Sequence, residues 1–423
     1  MVSQLRSQLT GRSRRALVGV AAGLCFLSVW VLAASGAGTA KVAGVGAVYT
    51  MTNDPAGNSV VVFNRSAKGT LQKREAVSTG GNGSVQSVGC GPGCPILDSQ
   101  NAVVVSRSGK LVFAVNAGSD SVTSFRETPS GLKRVSTLPS GGDMPESLAL
   151  HGNLLYVLNV ATANASGTTG NIYGYRVSPN GSLSALGSSQ PLANAAPPDR
   201  SGDPRVIGFK PNGKVIVVTD LAGGFMGPGA PGRIETFVVG KKGKAGPAVS
   251  HPSSDGFPFG FAFDHRGHLV VSNVHDPAGQ IPGSVSSYSV SDAGAVTPID
   301  TKPSGGVLPC WVVITNDGRF AYVVNTGAGL PGPVTFFGLS AQGKLTPLGP
   351  PAASAPGEFL RTDAALSRDS KFLYVLSPGF GPPGTSPSHI DEYRLAANGS
   401  MTLIGTTPAS ANLGVGATGL AAR

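Results

Sequence analysis

Charged residues make up only 13% of this 423-residue chain and aromatics only 6%, with four cysteines and two tryptophans. So little charge excludes a coiled coil or a long solvent-laced helical array, which need Glu and Lys along their exposed faces. Four cysteines exclude a disulfide-built scaffold, and no second Cys pair or neighbouring His completes a zinc set. The chain also lacks a GxSxG elbow, a Walker loop, a dinucleotide fingerprint and a calcium loop. No cofactor and no metal is therefore implied.

What is abundant is punctuation: 61 glycines and 33 prolines. They separate short β-branched apolar runs, and apolar residues reach 40% of the chain. That pattern predicts a turn-rich all-β protein. The formal charge is +10, but Arg6, Arg12, Arg14 and Arg15 all precede the first acid, Asp54. The other basic residues are scattered, with no basic stripe interleaved with aromatics, so no nucleic-acid partner is expected.

Those early arginines lead into "ALVGVAAGLCFLSVWVLAA" (16–34) and then the small residues "SGAGTA". A basic leader, an apolar stretch and a small-residue site make an export signal over residues 1–40, cleaved after Ala37 or Ala40. "SRRALVG" (13–19) has the form of a twin-arginine signal. The alternative is an uncleaved anchor, since the apolar run is long enough to span a bilayer. Beyond that segment no membrane contact is expected, and residues 41–423 are one domain, secreted, periplasmic or displayed on the cell surface. Leu24 before Cys25 does not suit a lipoprotein signal. In "GCGPGCP", Cys90 and Cys94 are close enough for a local disulfide in an exported protein. Cys310 is either a buried structural residue or a nucleophilic thiol.

The decisive feature is repetition. "SGKLVFAVNAG" (108–118), "GNLLYVLNVA" (152–161), "DGRFAYVVNTGAG" (317–329) and "DSKFLYVLSPG" (369–379) are variants of one turn–strand–loop phrase. Its strand closes at Asn53, Asn116, Asn159, Asp220, Asn273, Asn325 and Ser377, the last three spaced 52 residues apart. Seven units of four short strands, each about 45–50 residues, predict a seven-bladed β-propeller. The first unit lacks its opening strand, while "VGATGLAAR" (415–423) has the form of a spare one. The C-terminal strand is therefore expected to close the ring, removing two open sheet edges. A closed ring of this kind is expected to be monomeric.

The blade phrases "NSVVVFNRSAKGTL" (58–71), "SVSSYSVSDAGAVTPI" (284–299) and "TFFGLSAQGKLTPL" (335–348) resemble the seven-bladed propeller lactonases, a family that includes 6-phosphogluconolactonases and carboxymuconate cyclases. "YVLN" and "YVVN" are also similar to the strand of YVTN-repeat surface propellers. The lactonase resemblance implies a Pro–His segment opening a central blade, an Arg/His pair opening the next, and an acid after a second strand. Here "GDPRVIGF" (202–209) carries Arg205 where the His is implied, and Asp220 matches the acid of its blade. "GFPFGFAF" (256–263) offers Phe259 and Gly260 in place of Arg and His, and Val274 replaces an acid.

Propeller geometry puts the loops entering first strands and leaving second strands on one face, and the turns between those strands on the other. His151, His265 and His268 then fall on the turn face. Asp203, Arg205, Asp220, His275, Cys310, Trp311, Arg361 and Asp363 fall on the loop face. There Arg205 would bind a lactone carbonyl while Asp220 or His275 activates water. Asp203, Trp311, Arg361 and Asp363 are the candidate ligand-binding residues, and the loops at 222–232 and 377–389 would frame the rim. A small-molecule lactone, hydrolysed or formed, is the first expectation. A non-catalytic secreted or surface binding propeller is the second.

Overall fold

Seven antiparallel four-stranded sheets form the chain in a computed structural model that describes residues 44–84, 97, 99–160, 170–193, 203–221, 232–275, 281–327, 332–349, 360–378, 388–414 and 416–423. The expected export signal and the Cys90–Cys94 pair lie outside the described residues. Each sheet is one blade of the propeller, as the repeat predicts.

The first blade has the order Thr418–Ala422, Gly46–Met51, Ser59–Arg65, Leu71–Ser78. Its innermost strand is therefore the C-terminal one, and it pairs antiparallel with Gly46–Met51 through Val48↔Ala422, Tyr49↔Ala421 and Thr50↔Leu420. The remaining six blades run in sequence order from the channel outward. In the fourth they are Pro204–Phe209, Val215–Asp220, Arg233–Val238 and Val249–Pro252.

Second strands are buried on both faces, because each blade lies between two others. In Leu111–Asn116 all six residues are buried, so Phe113 and Val115 pack on one side and Ala114 on the other. Each such Val or Phe contributes about 1.5–3 kcal/mol by leaving water. Outer strands show the opposite pattern: Leu71–Ser78 is buried chiefly at its first residue.

The tyrosine of the repeated phrase has a specific task. Tyr156 donates from its hydroxyl to the Gly243 carbonyl at 2.7 Å, Tyr322 to Gly399 at 2.8 Å and Tyr374 to Gly69 at 2.8 Å. In each case the acceptor lies in the turn before the outer strand of the following blade. Burial raises the pKa of all three phenols, so they remain donors at any working pH. A second clasp uses carboxylates. Glu75 accepts from Leu132 N–H, Asp300 from Leu345 N–H and Glu392 from Leu71 N–H, again from one blade to the next.

The asparagine that closes the phrase holds the exit side of its own blade. Asn116 Nδ2 donates to Ser121 and Thr123, Asn273 Nδ2 to Ser284 and Ser286, and Asn325 Nδ2 to the Pro333 carbonyl and Thr335. Each fixes the start of the third strand after its loop.

Candidate functional site

Four consecutive blades open on the same local device. At or next to its first residue the innermost strand carries Pro145, Pro204, Pro258 or Pro309, opposite Asn159, Asp220, Asn273 or Asn325, and the register then slips. Proline has no N–H to contribute to the ladder, so it suits a strand start beside a bulge. A bulge re-aims the residue it displaces. The displaced residues are Glu146, Arg205, Phe259 with Gly260, and Cys310, all buried. Arg205 and Cys310 were legible as candidates. Glu146 was missed, although an acid directly after a blade-opening proline is the signal that marks it.

Residues 99–101 cross the channel and pin this column. Ser99 Oγ donates to the Arg205 carbonyl at 2.7 Å and lies 3.1 Å from the Glu146 carbonyl. Gln100 spans to the far side: its Nε2 donates to the carbonyls of Phe261 and Val312, and its Oε1 accepts from Val312 N–H. On the near side the Gln100 carbonyl accepts from Ser147 Oγ. Asn101, at φ 68°, turns the chain out into the second blade.

Around Arg205 the structure gathers part of the expected set. Its guanidinium, fully buried, donates to Asp203 Oδ2 at 2.6 Å. Asp220 Oδ1 accepts from Asp203 N–H at 2.7 Å, which ties both ends of the blade-4 opening together. The Arg205 guanidinium lies 5.6 Å from the centre of the Phe259 ring, and that ring meets Trp311 edge-on at 5.6 Å. Phe259 and Trp311 are both buried, so they act as packed aromatic walls. Trp311 Nε1–H is buried and finds no acceptor among the described residues.

Glu235, also missed from sequence, stands beside this group on the third strand of blade 4. One of its oxygens accepts from Ala193 N–H at 3.0 Å. Burial, reinforced by the nearby Asp220 carboxylate and opposed by Ala193 N–H and Arg233, pushes its pKa up to about 7.

The other expected residues stand elsewhere. His275 is half-buried, and its Nε2 lies 3.1 Å from Asp255 Oδ2. Arg361 forms a separate buried cluster in the seventh blade, donating to Tyr393 Oη at 2.7 Å and to Asp391 Oδ2 at 3.2 Å. Asp363 accepts from Ala364 N–H at 2.7 Å and from Leu420 N–H at 2.8 Å, so it bridges the last blade to the closing strand. Its complete burial raises its pKa well above the usual carboxylate range, against those two donors. Of the turn-face histidines, His268 Nδ1 lies 2.9 Å from Asp264 Oδ2 and His151 packs against Phe209.

The resemblance implies a His where Gly260 stands, and the geometry explains its absence. A Cβ on Gly260 would fall 2.0 Å from the Cys310 carbonyl oxygen and 2.8 Å from Gln100 Oε1. The channel crossing occupies the space a side chain would need. On the turn side of that crossing, the inner strands enclose a cavity of about 340 Å³ floored by Gln100 and Asn101 and walled by Val105, Leu150, Phe209 and Val313. Among the described residues no group of three or more His, Cys, Asp or Glu could hold a metal ion, and no helix is long and apolar enough to cross a membrane.

Residues 47–168 match the model of the Lactonase, 7-bladed beta-propeller family. The resemblance carried by the blade phrases is borne out over that stretch. Solved structures of the same fold include a protein from Lactobacillus plantarum, at 13% identity and a TM-score of 0.63, covering 89% of this chain and 99% of that one. A candidate 6-phosphogluconolactonase of Bacteroides fragilis is 16% identical, with a TM-score of 0.62 over 91% of this chain and 99% of that one. The periplasmic gluconolactonase of Pseudomonas aeruginosa is 16% identical, with a TM-score of 0.61 over 88% and 98% respectively. No curated protein matches the sequence.

Proposed function

We propose that this chain is an exported, lactonase-like propeller that hydrolyses, or in reverse forms, a small lactone derived from a sugar or an aromatic acid. The observation that carries the reading is the Asp203–Arg205–Asp220 group, buried at the opening of blade 4 against Phe259. Arg205 would stabilise the oxyanion that develops when water attacks the lactone carbonyl. Asp220 is the better base, because His275 already faces Asp255 at the rim. Asp220 takes a proton from the attacking water, the ring C–O bond breaks, and the leaving alkoxide is protonated to give the hydroxy acid. The buried Phe259–Trp311 pair backs the Arg205 guanidinium with apolar surface. Export is supported by the N-terminal basic–apolar–small segment, and a periplasmic or extracellular site by the same segment.

The second reading is a non-catalytic binding propeller. It is favoured by Gly260, where no side chain fits, and by the ion pair that already neutralises Arg205.

Assay of the purified protein on aldonolactones and aromatic lactones separates the two. The lactonase reading expects turnover that falls about 100-fold in Arg205→Ala and in Asp220→Asn, with His275→Gln within a few-fold of wild type. Turnover that survives both of the first two substitutions removes this site. Ligand binding without turnover on any substrate establishes the binding module.

A further inference from the structure

The loop face holds the proposed lactone site, and the opposite face carries a different kind of pocket at the ring seam. There the turns of blades 1, 2 and 7 and the C-terminal residue enclose a cavity of about 610 Å³. Its walls include Arg65, Arg368, Lys371 and Arg423, with Phe372 as the apolar surface. That volume is in the range of a small-molecule site.

Arg65 is the telling residue. It ends the third strand of blade 1 and is only 5% exposed. Its guanidinium stacks 5.5 Å from the centre of the Phe372 ring and lies flat over Gly46, where a Cβ would fall 2.7 Å from Nε and 2.8 Å from Nη2. Yet no carboxylate among the described residues lies within salt-bridge distance of it, and its buried Nε has no hydrogen-bond partner. The nearest acid in the pocket is Asp369, whose Oδ1 is taken by Ser367 Oγ at 2.6 Å and whose Oδ2 is 4.0 Å from Lys371 Nζ. The Arg423 carbonyl oxygen is engaged by Ala47 N–H. The Arg423 side chain reaches towards Glu127, 3.7 Å away, and its Nε is also buried without a partner.

A buried, unpaired cation is costly unless something compensates it. Arg423 faces Glu127, and Arg65 and Lys371 both act on the single pocket carboxylate, Asp369, so the cavity keeps an excess of positive charge that an oxyanion would offset. Arg presents a planar fork of donors matched to phosphate or carboxylate.

We propose that this seam pocket is an anion-binding site: Arg65, supported by Arg368, Lys371 and Arg423, receives the phosphate, sulfate or carboxylate group of a small molecule. Its walls come from the first, second and last blades and from the residue that follows the closing strand, so an occupied site holds the ring shut and raises its stability.

The test is thermal unfolding of the full-length protein titrated with sodium phosphate, sodium sulfate or sodium citrate, each against sodium chloride at matched ionic strength. Wild type is expected to show a saturable rise of a few degrees with at least one oxyanion and none with chloride. Arg65→Met keeps the apolar stem and loses the charge. It should melt no lower than wild type without oxyanion and should show no oxyanion-dependent rise. The exposed pair Arg368→Ala/Lys371→Ala cannot disturb packing and should weaken the apparent affinity about tenfold. It decides the question alone if the Arg65 variant does not fold. Equal shifts with chloride and oxyanions, or oxyanion shifts of the same size in wild type and variants, overturn the proposal.

Discussion

The interface between blades 7 and 1 and the interface between blades 4 and 5 are built from the same repeat and take their crossing hydrogen bonds from different positions of it. At the seam the repeat position is Tyr374, whose hydroxyl crosses to Gly69, and Glu392 crosses to Leu71 N–H. At the blade 4–5 interface the corresponding position is Val217, packed with Phe261, and the crossing hydroxyl comes instead from Thr236, which donates to the Gly294 carbonyl at 2.8 Å. Other polar groups of blade 4 gather at the channel opening as Asp203, Arg205 and Asp220, with Glu235 behind them. The seam has no covalent continuity between its two blades other than the closing strand, yet it carries the same clasps as interfaces that the chain joins directly, such as Tyr156–Gly243 and Tyr322–Gly399. Blades 4 and 5 are joined directly through the chain, and their turns are tied further by Lys210 and Lys214, each 2.6 Å from Asp292.

Removing residues 418–423 is the most severe way to break this contrast. It deletes the innermost strand of blade 1, exposes the edge of Gly46–Met51 and takes away the Asp363–Leu420 bond. The expected loss is at least about 4 kcal/mol, with a broad, poorly cooperative thermal transition by circular dichroism. A sharp transition near the wild-type melting temperature would mean that the seam clasps close the ring without the strand.

The two buried glutamates sharpen the comparison through pH. Burial raises Glu392 and Glu235 to about 7 from an ordinary value of 4.5. For a carboxyl raised in the folded state, the neutral form is the one that folding favours. Its contribution is therefore full below about pH 4.5 and is lost as pH climbs through about 7. Each group should cost about 2–3 kcal/mol across that window. Urea midpoints measured at pH 5 and pH 8 should differ less in Glu392→Gln than in wild type, and Glu235→Gln should act likewise. An unchanged pH dependence in Glu392→Gln would show that the seam carboxyl is ionised throughout.

The smallest effect tests the hydroxyl clasp. Tyr374→Phe removes one buried hydrogen bond and leaves the Gly69 carbonyl without that donor, for a loss of about 1–2 kcal/mol at the seam. Tyr156→Phe and Tyr322→Phe, with the same geometry, should cost the same within error, read as shifts in urea midpoint. A near-zero loss in all three would reduce the tyrosine to an apolar packing residue.

Much of the fold was legible because propeller blades are local structures. A Gly turn, a β-branched strand and a closing Asn can be recognised from a few adjacent residues, and the count of seven follows from repetition. The missing first strand and the spare last one even revealed how the ring closes. The candidate site was legible only where it breaks the repeat: Asp220 stands out because six other copies have Asn or Ser there. Glu146 and Glu235 were not legible, since burial is what makes them unusual, and an isolated Glu in a strand looks like any solvent-facing one. Arg361 illustrates the same limit. Its partners Asp391 and Tyr393 lie 30 and 32 residues further along the chain, on another strand.

The sequence by itself determined the strand pattern, the number of blades, the strand that closes the ring and the family the first blades resemble. These depend on local turn chemistry and on the alternation of apolar residues. Only the tertiary structure decided that residues 99–101 would cross the channel and leave no room at Gly260, that the repeated tyrosines would join blade to blade, and that Arg65 would be buried at the seam with no carboxylate of the described residues within salt-bridge distance. Those outcomes depend on which distant segments share a space, because burial and electrostatic compensation belong to neighbourhoods that a linear chain does not display.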